Sequence, residues 1–390
     1  MESVNGSILS ATGFVGGSVG VEDGVIVELS KKKTARPLVT GIVLPAFCNA
    51  HTHLGDAFIR MELKGTVEEL FAPPDGLKHR MLAKATEEEV VSGIRTAVEG
   101  MVLGGTGSFW DFRESGVDGA RMLYKGCLGN AIEPVCLGRP SAMKYDREEV
   151  RSILRTCDGL GVSSTRDWPY PELEKLSRDA RMAGKTFATH CSEVVREDID
   201  KVLDLKPDFL VHMIAATESD LERCADANVP IVVCPRSNAF FGKLPDIPLM
   251  LSKGVTLLLG TDNAMLNAPS MLREIDFAFR AAKLKGNVSP ADIVSMAIRG
   301  RKGLSGLANV GFQTGERACL AVLDVPAGRD PYSAVLRATE ADVALVWLGE
   351  RKWQRQERQQ PELKVQRRQS DRRIGSRRSS LKRKSRRPRT

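Results

Sequence analysis

Histidine is scarce in this chain of 390 residues, which has five in all. Four of them stand at the ends of apolar runs. His51 and His53 close Val-Leu-Pro-Ala-Phe-Cys-Asn-Ala-His-Thr-His, His190 follows Lys-Thr-Phe-Ala-Thr with Glu193 three residues on, and His212 follows Asp-Phe-Leu-Val. Asp262 stands after Thr-Leu-Leu-Leu-Gly-Thr. Imidazole and carboxylate together suit divalent zinc or iron. Residues i and i+2 of a strand share a face, so His51 and His53 can grip one ion. A divalent ion lowers the pKa of bound water from 15.7 to roughly 7 and so supplies a nucleophile at neutral pH.

Each of these residues ends a run that reads as a buried strand. Eight such strands are expected near 44–51, 106–112, 131–137, 159–164, 186–191, 208–213, 230–235 and 256–262. Amphipathic stretches separate them, among them the ones starting at Thr86 and Pro171, with acids early and bases late as the helix dipole favours. Eight β/α alternations in about 250 residues predict an α/β fold, a TIM (β/α)8 barrel, over 46–305. The candidate ligands then leave strands one, five, six and eight at the C-terminal face, where barrel enzymes keep their active sites. Residues 1–45, with short alternating strands and Gly turns, and residues 306–350 are expected to pair into one small β-sandwich domain built from both chain ends.

Composition narrows the setting. The chain is long enough for a large core. It has no apolar run of 18 residues, so no membrane span is expected, and the start Met-Glu-Ser-Val-Asn-Gly does not read as a secretory signal. The eight cysteines are scattered without a CxxC, which reads as reduced cysteine in a cytoplasmic protein. The formal charge of +8 is misleading: residues 351–390 hold 17 Lys and Arg against 3 Asp and Glu, a charge of +14, and residues 1–350 are left at −6. That last segment, with almost nothing apolar, is expected to be a disordered basic tail. It could bind nucleic acid or another polyanion by counterion release, and the body gives no other sign of a nucleic-acid partner.

Taken together, Pro-Ala-Phe-Cys-Asn-Ala-His-Thr-His, His190-x-x-Glu193, the lone His212, Cys-Pro-Arg-Ser-Asn and Gly-Thr-Asp262-Asn resemble the amidohydrolase superfamily. The chain is most similar to the branch that holds cytosine, guanine and S-adenosylhomocysteine deaminases and triazine hydrolases. The resemblance implies that His51, His53, His190 and Asp262 hold one metal, that Glu193 shuttles a proton to the substrate, and that His212 sits beside the metal-bound water or a substrate oxygen. It implies a metal-dependent hydrolase of non-peptide C–N bonds, deaminating a nucleobase-like or related heterocycle by metal-activated hydroxide. Asp262 would take up the proton of the nucleophile, and Glu193 would protonate a ring nitrogen and help ammonia leave, at a gain of about 10²–10⁴-fold. Ring opening of a cyclic amide or imidazolone, or triazine-type hydrolysis, is the alternative chemistry. Two-metal members of the superfamily use a bridging lysine on the fourth strand; here that strand reads Gly-Leu-Gly-Val-Ser-Ser, which points to one ion.

Substrate contacts are less defined. Arg113, Arg139 and Arg236 stand at the ends of strands two, three and seven, with Asn238 beside the last. They could bind a carboxylate or phosphate, or the arginines could pair with neighbouring acids such as Asp111 and Glu114. The segment from Phe71 to Arg80 is long enough for a lid, and His79 could touch substrate or be a solvated loop histidine. A homo-oligomer is compatible with all of this.

Overall fold

The computed structural model describes residues 1–355 apart from 302, 305, 306, 308, 309 and 327. Its centre is a ring of short parallel strands: β5 (Phe47–His53), β6 (Thr106–Arg113), β7 (Glu133–Gly138), β8 (Gly159–Val162), β9 (Thr186–Cys191), β10 (Phe209–His212), β11 (Ile231–Val233) and an eighth in two pieces, β12 (Leu257–Leu259) and β13 (Asp262–Asn263). Neighbours pair in chain order, and all pairings are parallel. β12 pairs with β11 on one side, while β13 pairs with β5 on the other, and Thr261 N–H donates to the His51 carbonyl at 3.0 Å between them. One stretch of chain therefore joins both ends of the sheet, and the barrel is closed.

The alternation along these strands sorts the side chains. Cys48, Ala50, Trp110, Phe112, Leu137, Ala188, Phe209, Val211, Val232 and Leu258 form one cluster inside the ring. The intervening residues, such as Leu160, Phe187, Leu210 and Leu257, join the larger cluster beneath the surrounding helices. This is the period of two that a strand requires. Helix starts follow the expected chemistry. Thr86 caps the helix Glu87–Leu103 with Glu89 closing a capping box, and Pro169 precedes the helix Tyr170–Met182.

The two chain ends meet as expected, in one continuous sheet rather than as two facing ones. Its order is β16–β15–β14–β4–β1–β2–β3, formed by β1 (Glu2–Ser10), β2 (Gly13–Glu22), β3 (Val25–Ser30) and β4 (Thr40–Pro45) from the start and β14 (Cys319–Leu323), β15 (Val343–Leu348) and β16 (Arg351–Gln354) from the end. Ile42, Leu44, Val346 and Leu348 join the large cluster beneath the barrel's helices, and Val43, Leu345 and Trp347 a separate cluster on the other face. The boundary expected after residue 350 needs correction. Arg351–Gln354 pair with β15, and the polar Arg351, Lys352 and Gln354 suit an edge strand in contact with water. The remainder of the expected basic tail lies outside the described residues. No helix among the described residues is long and apolar enough to cross a membrane.

Candidate active site

Two breaks in strand alternation build the mouth of the barrel. In β5, Cys48 and Ala50 point inward, so His51 and His53 would face outward in a regular strand. The pairing jumps from Asn49–Phe109 to Thr52–Asp111, which places one extra residue on β5 and reverses its phase. In β10, Phe209 and Val211 point inward, yet His212 also reaches the mouth, its backbone held at φ 78° and that of Met213 at φ 56°. Asp262 carries φ 63°. Non-glycine residues in this region are strained, and such strain concentrates at functional sites.

The imidazoles converge as neutral ligands. His53 Nδ1 lies 3.1 Å from the Phe112 carbonyl and 3.0 Å from Glu114 Oε1, and His190 Nδ1 lies 3.0 Å from the Val162 carbonyl. These partners only accept, so both Nδ1 atoms carry hydrogens and both Nε2 atoms present lone pairs. Burial, reinforced by Lys78, pushes His53 down to about 3, and burial lowers His51, His190 and His212 as well. The Nε2 atoms of His53 and His190 nevertheless stand 3.3 Å apart. Two lone pairs facing each other at that distance call for a cation beside them.

His51 Nε2 is 3.4 Å and His53 Nε2 3.7 Å from Asp262 Oδ1, and neither ring nitrogen of His51 has a hydrogen-bond partner. Donor atoms of His51, His53 and His190 lie within 4.8 Å of one another, as do those of His51, His212 and Asp262. Burial would raise the Asp262 carboxyl, but the close approach of His51 and the nearby imidazoles hold it well below the usual range. It is therefore an ionised oxygen donor. Three neutral nitrogens and one carboxylate match the donor set of a divalent ion.

Glu193 lies 3.6 Å from His212 Nε2 and faces the same cavity, which has a volume of about 270 Å³. Burial, then the charge of Asp262, pushes its carboxyl up to about 8. His212 is oriented from behind by the Asn238 amide, which donates to its Nδ1 at 3.3 Å. Ser237 donates to Asp262 Oδ2 at 2.6 Å.

The structure separates the expected substrate contacts. Arg139 reaches the cavity wall, because Leu137 and the residue two further on share the inward face of β7. Arg113 does not. It points out of the barrel with Asp111, against Gly55, and its Nη2 donates to Glu114 Oε2 at 2.8 Å. Arg236 is also turned away. Pro235 starts the helix Pro235–Phe240 where the strand was expected to continue, and the guanidinium bonds Asn267 and the Ala268 carbonyl. Asn238 lies behind His212, not in the cavity wall. His79 bonds the Phe71 carbonyl at 3.1 Å and does not line the cavity, whereas its neighbour Lys78 does.

Lys78 and Glu114 are the residues that sequence reasoning missed as parts of the site. Lys78 Nζ donates to Glu114 Oε1 at 2.7 Å, and both are buried. Burial would raise Glu114, but Lys78 and His53, with Arg113 behind them, hold it well below the usual carboxylate range. The alternation of Trp110 and Phe112 is the signal that could have placed Glu114 inward. Nothing in the sequence distinguishes Lys78 from its neighbours on the helix Leu77–Leu82.

Residues 42–351 match the model of a known family, described as the amidohydrolase family. An uncharacterized protein of Methanocaldococcus jannaschii is 31% identical over 320 residues, covering 76% of this chain and 82% of its own. A 5-methylthioadenosine/S-adenosylhomocysteine deaminase of Haloarcula marismortui is 24% identical over 330 residues, 74% of each chain. Among solved structures, an adenosine deaminase from Xanthomonas campestris with bound zinc superposes with a TM-score of 0.76 at 18% identity, over 90% of this chain and 92% of that one.

Proposed function

The chain belongs to the amidohydrolase family, a hydrolase of non-peptide carbon–nitrogen bonds, and on that premise we propose that it removes an amine from a nucleobase-like heterocycle with the help of one divalent ion, zinc or iron. The observation that carries this reading is the convergence of the His53 and His190 Nε2 lone pairs at 3.3 Å, beside His51 and Asp262 and in one cavity with Glu193. His51, His53, His190 and Asp262 would hold the ion, which when bound acidifies water at neutral pH.

The remaining chemistry falls to the chain's own groups. Burial pushes the Glu193 carboxyl up, which favours its protonated form, and in that form it can donate to a ring nitrogen of the substrate, which makes the adjacent carbon more electrophilic. Asp262 is ionised and can accept the proton that the attacking water gives up, while Ser237 fixes its second oxygen. Returned through Glu193, a proton lets the amine leave as ammonia. His212, with Nε2 carrying its hydrogen when Asn238 donates to Nδ1, can donate to oxygen at the attacked carbon. The deaminase named among the relatives supports amine loss over other leaving groups.

The test is ammonia release from a panel of aminopurines, aminopyrimidines and aminopterins, with protein loaded with zinc or iron and with metal-free protein. The reading expects release from at least one heterocycle and none without metal. Metal-loaded protein that frees no ammonia from any member, or protein that binds neither ion, would overturn it.

A further inference from the structure

Arg139 differs from the other cations of the cavity wall. Lys78 is taken by Glu114, and Arg166 stands in solvent at the rim. Arg139 is only 7% exposed, and its guanidinium makes no hydrogen bond among the described residues. Its nearest acid is Glu114, with Oε1 at 3.8 Å from Nη2, beyond hydrogen-bond reach. Both oxygens of that carboxylate already have closer donors: Lys78 and His53 hold Oε1 at 2.7 and 3.0 Å, and Arg113 holds Oε2 at 2.8 Å. Asp167, exposed at the rim, forms no ion pair with Arg139 among the described residues.

Lys78 and Arg113 share Glu114, Asp111 and the buried Asp56, whereas Glu114 and Asp167, the acids that act on Arg139, do so without a hydrogen bond to it among the described residues. Burying a guanidinium without hydrogen-bond acceptors is costly, and a fork of N–H groups that make no hydrogen bond matches two oxygens of an anion. The same cavity runs from His53 and His190 to Arg139, with Ser163 and Ser164 alongside. At about 270 Å³ it has room for a heterocycle with a short substituent and not for a macromolecule.

We propose that Arg139 binds an anionic oxygen group, a carboxylate or a phosphate ester, carried by the substrate at a distance from the carbon that loses the amine. This selectivity rests on the deaminase reading of the site, but it is a statement about binding and is measured separately from turnover.

The experiment uses full-length, metal-loaded protein and matched ligands: adenosine with adenosine 5′-monophosphate, and pterin with pterin-6-carboxylate. Calorimetry at fixed ionic strength reads affinity, and ammonia is assayed on the same samples. The anionic member of at least one pair should bind at least tenfold more tightly than its neutral mate. Arg139→Gln should abolish that preference and leave the neutral ligand within about twofold, while Arg139→Lys, which keeps the charge and loses the fork, should retain only part of it. The pair that shows the preference tells phosphate from carboxylate. Equal affinity within both pairs, or no binding by any anionic member, overturns the proposal. So does a preference that survives Arg139→Gln or, where that variant loses its fold or metal, one that Arg139→Lys leaves undiminished. Preferential binding with no ammonia from any ligand leaves Arg139's role standing and refutes the deaminase reading alone.

Discussion

Replacing Glu114 by Gln is the sharpest test of how the site is supported. Glu114 is the shared counterion of Lys78 and Arg113 and the carboxylate behind His53, at 2.7, 2.8 and 3.0 Å, and all four side chains are buried. Glutamine keeps the shape and one acceptor but removes the charge, leaving Lys78 and Arg113 with Asp111, 3.8 Å from Arg113, and the buried Asp56 as nearby carboxyls. Breaking a buried ion pair by removing one partner costs about 3–5 kcal/mol. For roughly 350 folded residues the unfolding entropy near the midpoint is about 0.7 kcal/mol/K, so the metal-free protein should melt about 4–7 °C lower.

His53 retains the Phe112 carbonyl at Nδ1, so its tautomer survives, but it loses the carboxylate that raises its basicity. Loss of such a partner costs about 10–100-fold in metal affinity. The pH dependence has a defined sign. Glu114 is depressed below its unfolded value, so its contribution is present above the ordinary carboxylate range and is lost as pH falls through the folded value. Wild type and variant should therefore differ in melting temperature at neutral pH and converge in acid. Thermal melts of metal-free protein from pH 3 to 8, with a chelator competition for the ion, measure both effects. A variant that melts with wild type at pH 7 and binds metal equally well would refute the assignment of Glu114 as the shared counterion.

Glu193→Gln should keep the ion and lose at least about 10²-fold in turnover. Because Glu193 acts protonated, and a bound cation lowers its value from about 8, wild-type turnover should fall on the alkaline side and the variant's residual rate should lack that limb. Chelation should abolish turnover, and elemental analysis of reconstituted protein should return one ion per chain; two tightly held ions would contradict the absence of a bridging lysine on the fourth strand. Residues 356–390 carry 14 Lys and Arg against 3 acids, so ending the chain after Arg355 should remove salt-sensitive retention on heparin while melting temperature, metal content and turnover persist. A shortened chain that still binds heparin as well places the basic surface elsewhere. Ending it after Glu350 instead removes β16 and should lower the melting temperature.

How much of this was legible in the sequence depends on whether residue type or strand phase decides. His51, His53, His190, His212, Glu193 and Asp262 were legible by type, because few histidines and acids end apolar runs. The eight strands were legible because buried parallel strands read as short apolar runs between amphipathic helices. Phase decided the arginines. Arg113 and Glu114 are adjacent, so they face opposite sides of β6, and the inward Trp110 and Phe112 assign the cavity side to Glu114. Arg236 failed for a different reason, since Pro235 ends strand geometry before alternation can apply. At β5 and β10 even correct phase counting misleads. Regular alternation would turn His51, His53 and His212 out of the barrel, and a bulge in one strand and a left-handed residue in the other turn them in. Both departures act on residues that meet at one point: the bulge brings His53 Nε2 to 3.3 Å from His190 Nε2, and the left-handed residue turns His212 into the same mouth. A fold optimised only for its own hydrogen bonds has no use for either. Their coincidence on two strands at one site ties the irregular backbone to the chemistry more closely than the identity of any single residue does.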